Sequence, residues 1–180
     1  MNTTTLLLSV GLIIFGTFLV SCEQKKETNS DSDQTTYANP FDYCNAVENI
    51  DTPGSEYNGP KVPDIISEKL RKDMGVSESM PVDVFNNGTF WRCMNGNVYA
   101  CNVGANLPCQ ERGDFSKEPN QGMLNYCQEN PSSDYIPMYA SGRATVYEWK
   151  CDGSTPEIIK QIAETDEAGY LKNIWYEITL

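Results

Sequence analysis

The chain has no histidine among its 180 residues. That removes the commonest general base at neutral pH and the commonest metal ligand. No two cysteines stand in a Cys-x-x-Cys pair, so the close ligand spacing of a structural zinc site is missing too. No glycine-rich phosphate loop is present, and Ser141-Gly142 lacks the preceding glycine that a nucleophile elbow needs. No cofactor, metal or catalytic residue is therefore expected. Positive charge is scarce as well: 13 Lys and Arg stand against 25 Asp and Glu, a net charge of −12. This argues against nucleic acid and against docking on anionic lipid through a basic face. It suits solubility first, and a cationic partner second.

Long apolar runs are absent but for one. Residues Leu6 to Val20 form an unbroken 15-residue stretch of mostly apolar side chains. A membrane-spanning helix needs about 20, whereas a signal-peptide core ends near this length. The run closes on Leu19-Val20-Ser21-Cys22. These four residues resemble the lipobox of bacterial lipoproteins, although the preceding segment carries no Lys or Arg. The resemblance implies cleavage before Cys22, acylation of its thiol, and attachment to the lipid bilayer of the cell envelope, facing the periplasm or the cell surface. The alternative is an ordinary cleaved signal peptide or a short anchor with Cys22 incidental.

Removing Cys22 from the seven cysteines leaves six: Cys44, Cys93, Cys101, Cys109, Cys127 and Cys151. An even number in an exported chain reads as three disulfides. The organisation that follows is a signal peptide over 1–21, a flexible polar linker over 22–39, and one globular domain over 40–180. As a coil of about 17 residues the linker spans roughly 20–25 Å.

The expected fold class is α+β: a small disulfide-stapled antiparallel sheet with two short helices. One helix falls near 63–74, with Pro63 and Asp64 at its start and Gly75 after its end. The other falls near 120–130, capped by Asn120 and stopped before Pro131. Asn95-Gly96 between β-formers predicts a type I′ hairpin over 89–101. Its register sets Cys93 opposite Val98 and Trp91 opposite Ala100. Parity then places Cys93 and Cys101 on opposite faces, so they do not bond to each other. Short strands are expected at Pro81 to Phe85 and at Ile136 to Gly142. A three-stranded meander is expected over 143–178. Within it, 156–164 fits helix or strand by apolar spacing, and its place between two turns favours strand.

Six cysteines allow 15 pairings. Trp91-Arg92-Cys93 and Trp149-Lys150-Cys151 echo each other as strand segments. The preferred pairing is accordingly Cys93 with Cys151, Cys109 with Cys127, and Cys44 with Cys101. The cysteines of the Trp91 to Cys109 stretch then reach out to three other parts of the chain.

From Cys44 onward the chain resembles a family of small cysteine-containing bacterial envelope proteins. The resemblance rests on Gly59-Pro60-Lys61-Val62-Pro63, Trp91-Arg92-Cys93-Met94, the run from Ala100 to Cys109, and Val146-Tyr147-Glu148-Trp149-Lys150-Cys151. It implies a single exported disulfide domain and brings no activity. The cysteine-rich β character is also similar to lysozyme-inhibitor lipoproteins, by analogy alone. Anchor, linker, staples and aromatic supply (ten Tyr, three Trp) favour a binding or inhibitor module. Tyr99, Tyr135, Tyr139 and Tyr147 are the candidate contact residues, the competing reading being half-buried sheet aromatics. A structural envelope role, or a hydrolase using two of the many carboxylates, is the alternative. The anchor is tested by Cys22→Ser, which is expected to move the protein from the membrane fraction to the soluble one. Retention in membranes would refute lipidation.

Overall fold

In the centre of the chain, Asn95 (φ 52°) and Gly96 (φ 78°) make the tight turn that joins β1 (Thr89–Met94) to β2 (Asn97–Asn102). A computed structural model describes residues 35–104 and 106–180. The expected signal peptide over 1–21, Cys22 and most of the expected linker lie outside the described residues. The expected register holds, with Trp91 opposite Ala100 and Cys93 opposite Val98. A third strand, β5 (Tyr176–Ile178), pairs antiparallel with β2.

Both faces of this sheet are buried. On one face Trp91, Cys93, Val98, Ala100 and Ile178 meet helices α1 (Pro40–Val47), α2 (Asp64–Asp73) and α3 (Val82–Asn87) through Tyr43, Ile66, Leu70 and Phe85. The other face joins a second core with Met123, Val146, Trp149, Leu171 and Trp175. This core lies under α4 (Gln121–Glu129), α5 (Met138–Ser141) and the hairpin of β3 (Tyr147–Asp152) and β4 (Thr155–Gln161). The α+β class therefore stands.

The ends of α2 and α4 follow from their caps. Pro63 precedes α2 and Gly75 follows it at φ 64°, the left-handed conformation glycine adopts freely. Asn120 Oδ1 accepts from Met123 N at 2.9 Å and opens α4. Residues 40–47, which sequence left unassigned, are helical. Asn39 accepts from Phe41 N at 2.8 Å, and Pro40 supplies a preset φ in the first turn. Ahead of α1, Tyr37 N donates to Glu56 O, and Asn58 N to Tyr37 O.

Four expectations need correction. Residues 82–87 form a helix rather than a strand; Val82 and Val84 are exposed and only Phe85 is buried, so their alternation marked no sheet face. Residues 138–141 are one helical turn, not a strand. The C-terminal meander has only two strands, because β5 leaves β4 and pairs with β2 in the other sheet. The pairings are Cys44–Cys93, Cys101–Cys109 and Cys127–Cys151, in place of Cys93–Cys151, Cys109–Cys127 and Cys44–Cys101. Facing explains all three. Cys93 turns to the helical core, where α1 brings Cys44. Cys101 turns the opposite way and meets Cys109. Cys151 faces α4, which carries Cys127. The Trp91 to Cys109 stretch thus holds one bond within itself.

A buried charge joins the two halves. Arg92 on β1 points into the second core and is 1% exposed. It ion-pairs with Asp166, itself 5% exposed. Its guanidinium lies 4.5 Å from the ring centres of both Tyr170 and Trp175. Asp166 Oδ1 also accepts from Tyr170 N at 3.0 Å, which closes the loop at Thr165–Leu171. Removing one partner of a buried pair typically costs about 3–5 kcal/mol. Asp166→Ala is expected to lower the free energy of unfolding in urea by that order, with a matching fall in the midpoint, and the double variant Arg92→Met/Asp166→Leu by less. An unchanged midpoint in Asp166→Ala would show that the pair does not hold this loop.

Candidate functional site

The four tyrosines singled out from sequence do not form one surface. Tyr147 lies on the inward side of β3 with Trp149 and Cys151 and is 9% exposed, so it is core and not contact surface. Tyr99 is half-buried on β2, on the face of Cys101, and its hydroxyl donates to Glu177 on β5 at 3.1 Å. Tyr135 and Tyr139 are the exposed pair, at 51% and 83%. They stand four residues apart on either side of Pro137.

Tyr139 is exposed yet held. Its ring sits edge-on to Tyr126 of α4, centres 6.1 Å apart at 73°. Such edge-to-face pairs contribute about 0.5–1.5 kcal/mol beyond their buried area. The helical turn that carries Tyr139 is clamped to α4. Asn120 caps α4 with its side-chain oxygen, and its amide nitrogen donates to Ser141 O at 3.1 Å. Gly122 lets the two helices approach: a Cβ there would stand 2.6 Å from Ala140 O. Gly142 ends the turn at φ 99°. Below, Cys127–Cys151 fixes α4 to β3. Residues 114–142 hold four acids, Asp114, Glu118, Glu129 and Asp134, against Lys117, and Arg143 follows.

Tyr126, Asn120 and Gly122 form the support that sequence reading did not connect with Tyr139. Asn120 was visible as a cap; its second bond was not, because Ser141 lies 21 residues on. Cys22 lies outside the described residues. Among the described residues no group of three or more His, Cys, Asp or Glu is placed to hold a metal ion.

Carboxylates gather in one further place, a groove of about 760 Å³ lined by Asp64, Glu68 and Glu78 with Arg71 and Lys72. All three acids are solvent-exposed, whereas acid catalysis by a carboxyl draws on burial and close partners. Arg71 is occupied there, donating to Ser77 O and Met80 O.

Compared with protein-family models, with curated proteins and with solved structures, the chain matches none. The arrangement around Tyr139 is what the geometry itself offers: an exposed tyrosine in edge-to-face contact with Tyr126, on a segment with more acids than bases.

Three tyrosines elsewhere have phenols pushed above their ordinary value of 10.0. Burial does this at Tyr57. At Tyr99 burial acts first, then the hydrogen bond and charge of Glu177. At Tyr170 burial acts first, then Asp51, with Arg112 opposing. A raised native pKa stabilises the fold fully below pH 10.0, and that contribution is lost as pH rises through the native value. Alkaline titration is expected to show a late group of phenols that ionise together with loss of circular dichroism. All ten tyrosines ionising before any unfolding would contradict it.

Proposed function

We propose that this chain is a membrane-anchored binding module of the bacterial envelope, facing the extracytoplasmic side, which engages a basic protein through the surface around Tyr139. The observation that carries the reading is Tyr139 itself, 83% exposed, in edge-to-face contact with Tyr126 and carried by a turn clamped to α4. An exposed large aromatic ordinarily loses rotamer freedom on binding. One held in place before contact loses less, which is how rigid tyrosines become interface anchors. Three disulfides support an oxidising compartment, in line with the export signal at the N-terminus. The lipobox supports attachment to a bilayer through acylated Cys22. The acidic balance supports a cationic envelope or extracellular protein as partner and disfavours nucleic acid.

The test uses the full mature chain with Cys22→Ser, immobilised and exposed to envelope extract and to lysozyme as a basic probe. A saturable basic partner is expected, with retention falling as salt rises. Tyr139→Ala is expected to weaken it by about thirtyfold, the scale of a hot-spot residue. Equal retention by wild type and Tyr139→Ala, or no saturable partner and no inhibition of lysozyme, would sink the reading.

A further inference from the structure

Three Asn-Gly pairs stand in the chain: Asn58-Gly59, Asn87-Gly88 and Asn95-Gly96. Such a pair carries a reaction of its own. The backbone nitrogen of the glycine attacks the side-chain carbonyl carbon of the asparagine, and the missing Cβ of glycine leaves that nitrogen unshielded. A bond forms from the glycine nitrogen to Cγ, closing a succinimide ring, as the Cγ–Nδ2 bond breaks. The glycine N–H proton leaves with the amide nitrogen as ammonia. Water then opens the ring at either carbonyl and gives aspartate or isoaspartate. The reaction consumes only that water and needs no cofactor.

All three asparagines are exposed, so solvent access does not separate them. The attacking N–H does. A nitrogen whose hydrogen is held by a carbonyl must give that bond up before it loses its proton and reaches Cγ. Gly96 N donates to Glu48 O at 3.0 Å, in the β1–β2 turn. Gly88 N donates to Phe85 O at 3.1 Å, at the end of α3. Gly59 N finds no acceptor among the described residues. Asn95 is held a second way, because its own N donates to Asn49 Oδ1 at 3.0 Å.

Asn58 also sits where its conversion has a consequence. Its N donates to Tyr37 O at 2.9 Å, and its Nδ2 to Thr36 Oγ1 at 3.1 Å. Tyr37 N donates to Glu56 O at 2.8 Å. These bonds tie residues 36–37, through which the chain from Cys22 enters the domain, to residues 56–58. Ammonia loss removes the bond to Thr36 outright. Isoaspartate in addition routes the backbone through its Cβ and so lengthens it by one methylene ahead of Gly59. Space there is short: a Cβ on Gly59 would stand 2.4 Å from the Tyr57 hydroxyl oxygen and 2.5 Å from Ala38 O. The longer backbone cannot keep both its place and the Tyr37 pairing.

We propose that Asn58 is a self-modifying site, which converts to isoaspartate ahead of Asn87 and Asn95 and thereby unties residues 36–37 from the domain. The site stands apart from the Tyr139 surface and from the anchor.

The mature chain with Cys22→Ser is kept at mildly alkaline pH and sampled over days. Peptide mapping with fragment spectra measures aspartate and isoaspartate at each asparagine. Asn58 is expected to convert about tenfold faster than Asn87 or Asn95, equivalent to about 1.4 kcal/mol and the scale of one backbone hydrogen bond. In the reduced chain unfolded in urea the three are expected to convert at similar rates, which assigns the difference to the fold. Hydrogen exchange at the Tyr37 amide is expected to quicken as isoaspartate accumulates. It is expected to stay slow in Asn58→Gln aged alongside, since the longer side chain closes its ring far more slowly. Three results would overturn the proposal: Asn58 converting no faster than Asn95, the same spread of rates in the unfolded chain as in the folded one, or a converted sample in which Tyr37 exchange is unchanged.

Discussion

A three-stranded sheet with no face left to water sets the terms for the rest of this fold. Sheets this small usually keep one solvated side. Here the alternation along β1 and β2 is apolar both ways: Trp91, Cys93, Val98 and Ala100 on one side, Phe90, Tyr99 and Cys101 with the Arg92 stem on the other. Each side must then be roofed. The chain before β1 supplies one roof with three short helices, and the chain after β2 supplies the other with α4, α5 and the β3–β4 hairpin. Disulfides divide in the same way, one in the first core and two in the second. They do not cross the sheet. In the chain-entropy picture, closing loops of 49, 24 and 8 residues contributes about 4, 3.5 and 2.5 kcal/mol. The largest of these ties α1 to β1, on the side roofed by the three short helices.

Arg92 is the one place where this plan conflicts with chemistry. A full charge lies at a position the register commits to the interior. Desolvating an unpaired guanidinium would cost several kcal/mol. Asp166, Tyr170 and Trp175 answer it together: one supplies opposite charge, and two present ring faces at 4.5 Å. All three come from one segment, 166–175, which also leads into β5. The charge therefore ties the segment that leads into β5 to β1 of the first sheet.

Local signals in the sequence were legible where chemistry is local. Asn95-Gly96 reads as a hairpin turn, and Pro63, Gly75 and Asn120 read as helix ends, because each acts within a few residues. The segment 82–87 was not legible, since Val-Asp-Val-Phe fits a strand or a single helical turn equally well over so few positions. The separation of Cys93 from Cys101 followed from parity alone. Their partners did not, because the echo between Trp91-Arg92-Cys93 and Trp149-Lys150-Cys151 assumes one sheet, and the two strands belong to different ones. At the candidate site, the same parity would have sorted the tyrosines. Tyr147 shares its side of the strand with Trp149 and Cys151, and Tyr99 shares its side with Cys101, so both turn inward. Tyr139 has no such neighbour. Its support by Tyr126 depends on a contact across 13 residues that no periodicity encodes.

Tyr139 and the cavity of about 180 Å³ beside β1 rest on the same kind of support. In each case aromatic side chains are set by a disulfide-tied core and not by the loop that displays them. Tyr139 rests on α4, which Cys127–Cys151 fastens to β3. The cavity has Cys109 in its wall, fastened by Cys101 to β2. A domain that only needed to fold would gain as much by burying these aromatics fully. Holding one of them 83% exposed, and leaving a space of about 180 Å³ among four others, gives up apolar burial that the core could use.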